Sequence, residues 1–201
     1  MIPEMPEGSA LRPIARPSAL SRLDLNLPNL ITLARLICVP LAIWLILTQR
    51  YGLAFWVFVA AGISDAVDGW IAKRWDQRTP LGALLDPIAD KALLAAVYIT
   101  LGIAGELPYW LVVLVLLRDF LIVVGYLLSH GANAPEPLFI SKVNTLVQIA
   151  LVGFVLARLG LGIGIGDEWL TSLLVAAAGV TTVWSGLSYL VRWARLLVRW
   201  N

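Results

Sequence analysis

Six apolar runs, separated by short polar or glycine- and proline-bearing links, set the pattern of this chain at about residues 28–47, 52–73, 82–103, 108–128, 139–159 and 169–193. Each is close to the ~20 residues that a helix needs to cross the hydrocarbon core of a bilayer. The pattern predicts an all-α integral membrane protein, a bundle of six transmembrane helices. Pro28 stands where a helix start tolerates a missing N–H, and Pro40 predicts a kink in the first helix. The glycine-rich stretch 159–166 reads as a flexible turn, and no internal repeat is evident.

Residues 1–24 carry Pro3, Pro6, Pro13 and Pro17 among Ser and Arg, and read as a flexible cytoplasmic N-terminal tail. Arg12, Arg16 and Arg22 would hold it at an anionic lipid surface. The segment Leu23 to Leu27 is short enough to lie in the interface. A signal peptide is not expected, because no apolar stretch with a small-residue cleavage site stands near the front. Residues 25–201 then form one six-helix domain.

Composition agrees: 60% hydrophobic and 14% charged residues place the chain in the membrane class. The net charge of +2, with no basic run interleaved with aromatics, argues against a nucleic-acid partner. Cys38 is the single cysteine and lies in an apolar run, so no intramolecular disulfide is possible and the residue reads as a small buried hydrophobe. Position matters more than total charge. Arg12, Arg16, Arg22, Lys73, Arg74, Arg78, Lys142, Arg192, Arg195 and Arg199 fall on one side of the expected bundle, with His130 exposed in a loop there. Arg50 and Arg158, with Glu106, Asp167 and Glu168, fall on the other. The positive-inside rule then puts both termini on the cytoplasmic side of a bacterial inner membrane, or on the matrix side of a mitochondrial one. Trp56, Trp110, Trp169, Trp193 and Trp200 read as interfacial belt residues.

Four carboxylates interrupt the apolar pattern: Asp65 and Asp68 in the last turns of the second run, Asp86 and Asp90 in the first turns of the third. An isolated charge at such depth costs roughly 2.5–3.5 kcal/mol on insertion scales, so something must offset it. Spacings of i, i+3 and i, i+4 project each pair from one helix face, and the short link 75–80 brings the faces together at one depth on the cytoplasmic side. Hard divalent cations take such oxygen donors, and a two-metal site suits phosphoryl chemistry, in which charge develops on the attacking and leaving oxygens. Gly69 and Gly82 admit close approach of a ligand, and Ala72 shares the face of Gly69. Capping and turn roles explain neither four intramembrane acids nor the glycine spacing.

The complete spacing is Asp65, two residues, Asp68-Gly69, two residues, Ala72-Lys73, eight residues, Gly82, three residues, Asp86, three residues, Asp90. It resembles the signature of the CDP-alcohol phosphatidyltransferases, membrane enzymes that pass a phosphatidyl group from a CDP-lipid to an alcohol and release CMP. The opening Leu27-Pro28-Asn29-Leu30 with Thr32 and Arg35 is similar to many members. The chain departs from the pattern at Lys73, where the family usually has arginine; lysine offers a point charge in place of a planar fork. The resemblance implies that Asp65, Asp68, Asp86 and Asp90 share two ions, Mg2+ or Mn2+. It implies that Asp90 is also the base that takes the acceptor's proton, and that Asp68, Gly69, Ala72, Lys73, Arg78 and Gly82 bind the CDP moiety of CDP-diacylglycerol. It implies a homodimer.

Arg35, Arg118 and Lys142 are intramembrane cations and, by default, functional candidates; facing the aspartates, they would hold an anionic acceptor. Arg118 next to Asp119 also admits a purely structural ion pair. The segment Phe139-Ile140-Ser141-Lys142-Val143-Asn144-Thr145 with Gln148 resembles mitochondrial-type cardiolipin synthases more than phosphatidylglycerophosphate synthases, which favours phosphatidylglycerol over glycerol-3-phosphate as acceptor. A transporter or scaffold with a structural metal is the competing class, but a translocation pathway would need a second set of acids toward the other face, and none follows.

Overall fold

The computed structural model describes residues 27–75, 80–128, 139–162 and 167–198, with the backbone alone for 27–33, 35, 65–75, 80–90, 126–128, 167 and 193–198. The expected tail 1–24, Arg78 and His130 lie outside the described residues. All regular structure among them is helical: α1 Leu27–Leu47, α2 Tyr51–Trp75, α3 Pro80–Ile103, α4 Tyr109–Leu128, α5 Phe139–Leu161 and α6 Asp167–Val198. Two stretches, Phe139–Leu161 and Glu168–Arg192, are long and apolar enough over their described residues to cross a membrane.

The helices stop where local chemistry stops them. After α1, the Gln49 N–H donates to Ile46 O at 2.9 Å and the Arg50 N–H to Leu45 O at 2.8 Å. After α3, the Gly105 N–H donates to Gly102 O at 3.0 Å and the Glu106 N–H to Leu101 O at 2.9 Å. Both ends are Schellman caps, with a positive φ at Gln49 and at Gly105. α5 continues two residues beyond the run expected from hydrophobicity and ends at Gly162, which takes a φ of 64°. α6, with 32 residues, also outruns its apolar stretch. α1 runs through Pro40 as one helix.

The outer surface of the bundle is apolar, while its interior carries a cluster of polar side chains at one end. Trp44, Trp56, Ile103, Phe120, Leu146 and Trp184, one from each helix, are all more than half exposed. Arg118, Asn144, Gln148, Thr182 and Ser185 are buried. An outer surface of this kind is stable only in an apolar surround.

Packing runs α1 on α2 and α3, α2 on α5, α5 on α6 and α4 on α6, with α3 touching α4 and α5. The apolar core includes Leu45 and Ile46 of α1, Phe58 of α2, Tyr98 and Leu101 of α3, Leu111 and Val115 of α4, and Leu151, Val155 and Leu156 of α5. It lies toward the end of the bundle where α1 meets α2 and α3 meets α4. There Arg158 Nη2 donates to Glu106 Oε2 at 3.4 Å, tying α5 to the α3–α4 turn. The other end, which holds the aspartate-bearing parts of α2 and α3, has the polar interior.

α2 and α5 meet backbone to backbone: a Cβ built on Gly160 would lie 2.2 Å from Gly52 N and 2.4 Å from Gly52 Cα. Small residues permit such approaches between helices in a membrane, where packing rather than hydrophobicity drives association. Gly160→Ala should therefore force the helices apart and cost about 1–3 kcal/mol, seen as a lower Tm in detergent. Gly153→Ala, on the same helix with nothing within 4 Å of the built Cβ, should leave Tm unchanged.

Candidate active site

The polar interior is organised by Arg118. It lies midway along α4 and is 3% exposed. Its Nε donates to Ser185 Oγ at 3.2 Å, Nη2 to Ser185 Oγ at 2.8 Å and to Ser141 Oγ, and Nη1 to Asp119 Oδ1 at 2.5 Å. One guanidinium thus joins α4 to the start of α5 and to α6. A buried cation is tolerated only when its donors are met in this way. Asp119 Oδ1 also accepts from Lys91 Nζ at 3.2 Å, which links α4 to α3 at the residue directly after Asp90. The carboxylate sits between two cations, and Lys91, Asp119 and Arg118 alternate in charge from the edge of the bundle inward.

A second set of hydroxyls and amides closes the α5–α6 seam. Gln148 Nε2 donates to Thr182 Oγ1 at 3.3 Å, and the hydroxyls of Thr181 and Thr182 each donate to Asn144 Oδ1 at 2.8 Å. Tyr98 Oη donates to Gln148 O at 3.3 Å and adds α3 to the seam. The register explains the match: Ser141, Asn144 and Gln148 recur every three to four residues along one face of α5, and on α6 Ser185 lies four residues from Thr181 and three from Thr182. Asn144 Nδ2, fully buried, meets no acceptor among the described residues.

The residues singled out in the sequence distribute as follows. Asp65, Asp68, Gly69, Ala72 and Lys73 lie in α2, and Gly82, Asp86 and Asp90 in α3; their side chains are outside the described set. Both helices run unbroken through the four aspartates, so the i, i+3 and i, i+4 spacings are realised on the backbone. Four hard oxygen donors at these spacings fit divalent cations. Arg35 lies in α1, again with its side chain outside the described set. Arg118 is drawn to the same end of the bundle as the aspartates, through Lys91 and Ser141. Lys142 is exposed, in line with the exposed Leu146 and Ile149 on the outer face of α5. No described contact joins it to Arg118. Lys91, Thr182 and Ser185 join the polar interior without having stood out in the chain. A lysine directly after Asp90, and two hydroxyls three residues apart in an apolar run, are the signals that could have found them.

The family model described as CDP-alcohol phosphatidyltransferase matches residues 25–184. A cardiolipin synthase (CMP-forming) of Streptomyces coelicolor is 36% identical over 188 residues, covering 86% of this chain and 85% of the relative. The cardiolipin synthase (CMP-forming) of Rattus norvegicus is 32% identical, over 82% of this chain and 60% of that protein. A probable phosphatidylglycerophosphate synthase of Mycobacterium tuberculosis is 32% identical, over 83% of this chain and 81% of the relative.

Ser185→Ala removes the acceptor shared by Arg118 Nε and Nη2, and should cost about 1.5–3 kcal/mol, the usual range for hydrogen bonds to charged groups. Thermal unfolding in detergent should register it, whereas Ser188→Ala, nearer the C-terminus of α6, should not.

Proposed function

The chain belongs to the CDP-alcohol phosphatidyltransferase family, and from that premise we propose that it passes the phosphatidyl group of CDP-diacylglycerol to phosphatidylglycerol, forming cardiolipin and releasing CMP. The observation that carries the choice of acceptor is the 36% identity to a bacterial cardiolipin synthase across 85% of that protein. The likeness to a probable phosphatidylglycerophosphate synthase supports a second reading, with glycerol-3-phosphate as acceptor. Both readings place the enzyme in phospholipid biosynthesis.

The six helices would all span the membrane, with the aspartate end and both termini on the cytoplasmic or matrix side. The excess of Lys and Arg at that end supports this. Pairing of Arg158 with Glu106 at the other end offsets one of the few positive charges there.

In the proposed site, Asp65, Asp68, Asp86 and Asp90 would hold two divalent cations, Mg2+ or Mn2+, which when bound neutralise charge on the phosphoanhydride oxygens. The acceptor hydroxyl attacks the lipid-side phosphorus of CDP-diacylglycerol. Asp90 takes its proton, the bond to the CMP phosphate breaks, and CMP leaves with the electron pair. Gly69, Ala72 and Gly82 leave room for the nucleotide, while Asp68, Lys73 and Arg78 supply polar contacts to it. Lys142 and Arg35 offer positive charge to an anionic acceptor. The guanidinium of Arg118, bound to Ser141 and Ser185, keeps the start of α5 in register with the middle of α6.

Purified protein given CDP-diacylglycerol with either phosphatidylglycerol or glycerol-3-phosphate should release CMP with the first, and lipid analysis should find cardiolipin. Product with glycerol-3-phosphate alone would replace the first reading by the second. Lys142→Ala should raise the acceptor KM several-fold and leave that of CDP-diacylglycerol in place.

Asp90→Asn separates the base from the metal ligands. It should keep much of the affinity for CDP-diacylglycerol and lower kcat by about 10²–10⁴, whereas Asp65→Asn, Asp68→Asn and Asp86→Asn should weaken metal and CDP-lipid binding together. Excess chelator should stop turnover and Mg2+ or Mn2+ restore it. Exchange of labelled CMP into CDP-diacylglycerol without acceptor, abolished in Asp90→Asn, would make Asp90 a nucleophile instead.

A further inference from the structure

We propose that Asp119 is a positioning residue: it engages the ammonium of Lys91 so that this cation does not become the counter-ion of the aspartates next to it. The inference rests on the metal-binding reading of Asp65, Asp68, Asp86 and Asp90 given above.

Lys91 directly follows Asp90 in α3 and carries a flexible four-carbon stem. Residues i and i+1 project from different faces of a helix, but the long lysine stem would let an unpartnered ammonium swing toward the proposed metal carboxylates and compete with a divalent ion for their oxygens. The structure gives its ammonium another partner, Asp119 Oδ1 on α4, at 3.2 Å. That carboxylate is not free to follow Lys91 back. Its oxygen is also bound by Arg118 Nη1 at 2.5 Å, and Arg118 is fixed by Ser185 on α6 and Ser141 on α5. Lys91 is 41% exposed and Asp119 only 18%, so the mobile member of the pair is the lysine and the anchored member is the aspartate. The chain of contacts thus transmits the rigidity of α4, α5 and α6 to a side chain beside the proposed base.

The double-mutant cycle tests this in the full chain in detergent, with Mn2+ as probe and free Mn2+ read by electron paramagnetic resonance. Asp119→Asn should weaken Mn2+ binding roughly fivefold or more, the effect of releasing a part-buried ion pair. Lys91→Met should bind at least as well as the wild type. The pair Lys91→Met with Asp119→Asn should return to within about twofold of the wild type, because Arg118 has lost Asp119 in both backgrounds and only the freed lysine differs. Asp119→Ser, which can still accept from Arg118, carries the same expectations if the Asn variant does not fold. Unchanged Mn2+ binding in the Asp119 variants, or a double variant as weak as the single, would overturn the proposal. Absence of Mn2+ binding in the wild type would overturn the metal reading itself, and this inference with it.

Discussion

A guanidinium inside a bundle whose outer surface is apolar has no water to fall back on, and the arrangement of α4, α5 and α6 depends on that fact. Arg118 must find every partner within the protein. It finds them in Asp119 on its own helix, Ser141 on α5 and Ser185 on α6. Each partner constrains a different helix, so the position of α6 along its axis and the entry of α5 are set together. The Asn144, Gln148, Thr181 and Thr182 seam extends the same logic toward the bundle centre, where Asn144 Oδ1, Gln148 Nε2 and the two threonine hydroxyls pair across the facing helices. Below that, the interior is hydrocarbon.

Much of this architecture was legible in the chain. Apolar runs bounded by Pro, Gly or a charge locate α1 to α4 to within a few residues, because in a membrane length and apolarity are themselves the constraint. α5 and α6 overran their expected ends for physical reasons. Gly160, which reads as a breaker, remains helical because its missing Cβ lets α5 lie against Gly52, and the true stop is Gly162. α6 continues to Val198 because apolarity marks the width of the bilayer, not the end of the helix, and Arg, Leu and Val are helix-compatible beyond it.

The candidate site was legible in part. Asp65, Asp68, Asp86 and Asp90 announce themselves by charge at depth, and the family match covers all four positions. The partners of Arg118 did not. Ser141 and Ser185 are small hydroxyls of a kind that commonly bond back to their own helix. Only the side-by-side placement of α4, α5 and α6 turns them toward a common guanidinium. Lys91 was hidden for another reason: beside Asp90 it reads as part of a charged motif, while its partner Asp119 lies 28 residues later on a different helix. Linear spacing describes pairs on one helix well and pairs across helices poorly.

The apolar core set a consequence of its own. Tyr98, Leu101, Leu111, Leu151 and Leu156 leave essentially no exposed surface at the level beneath the polar interior. Among the described residues, an ion that entered from the aspartate end would meet there a largely hydrocarbon layer, at a desolvation cost of at least several kcal/mol. The interior is therefore a cul-de-sac. Charged reactants could come and go by one door only, and the membrane would remain an electrical insulator around a site that holds charge within its thickness.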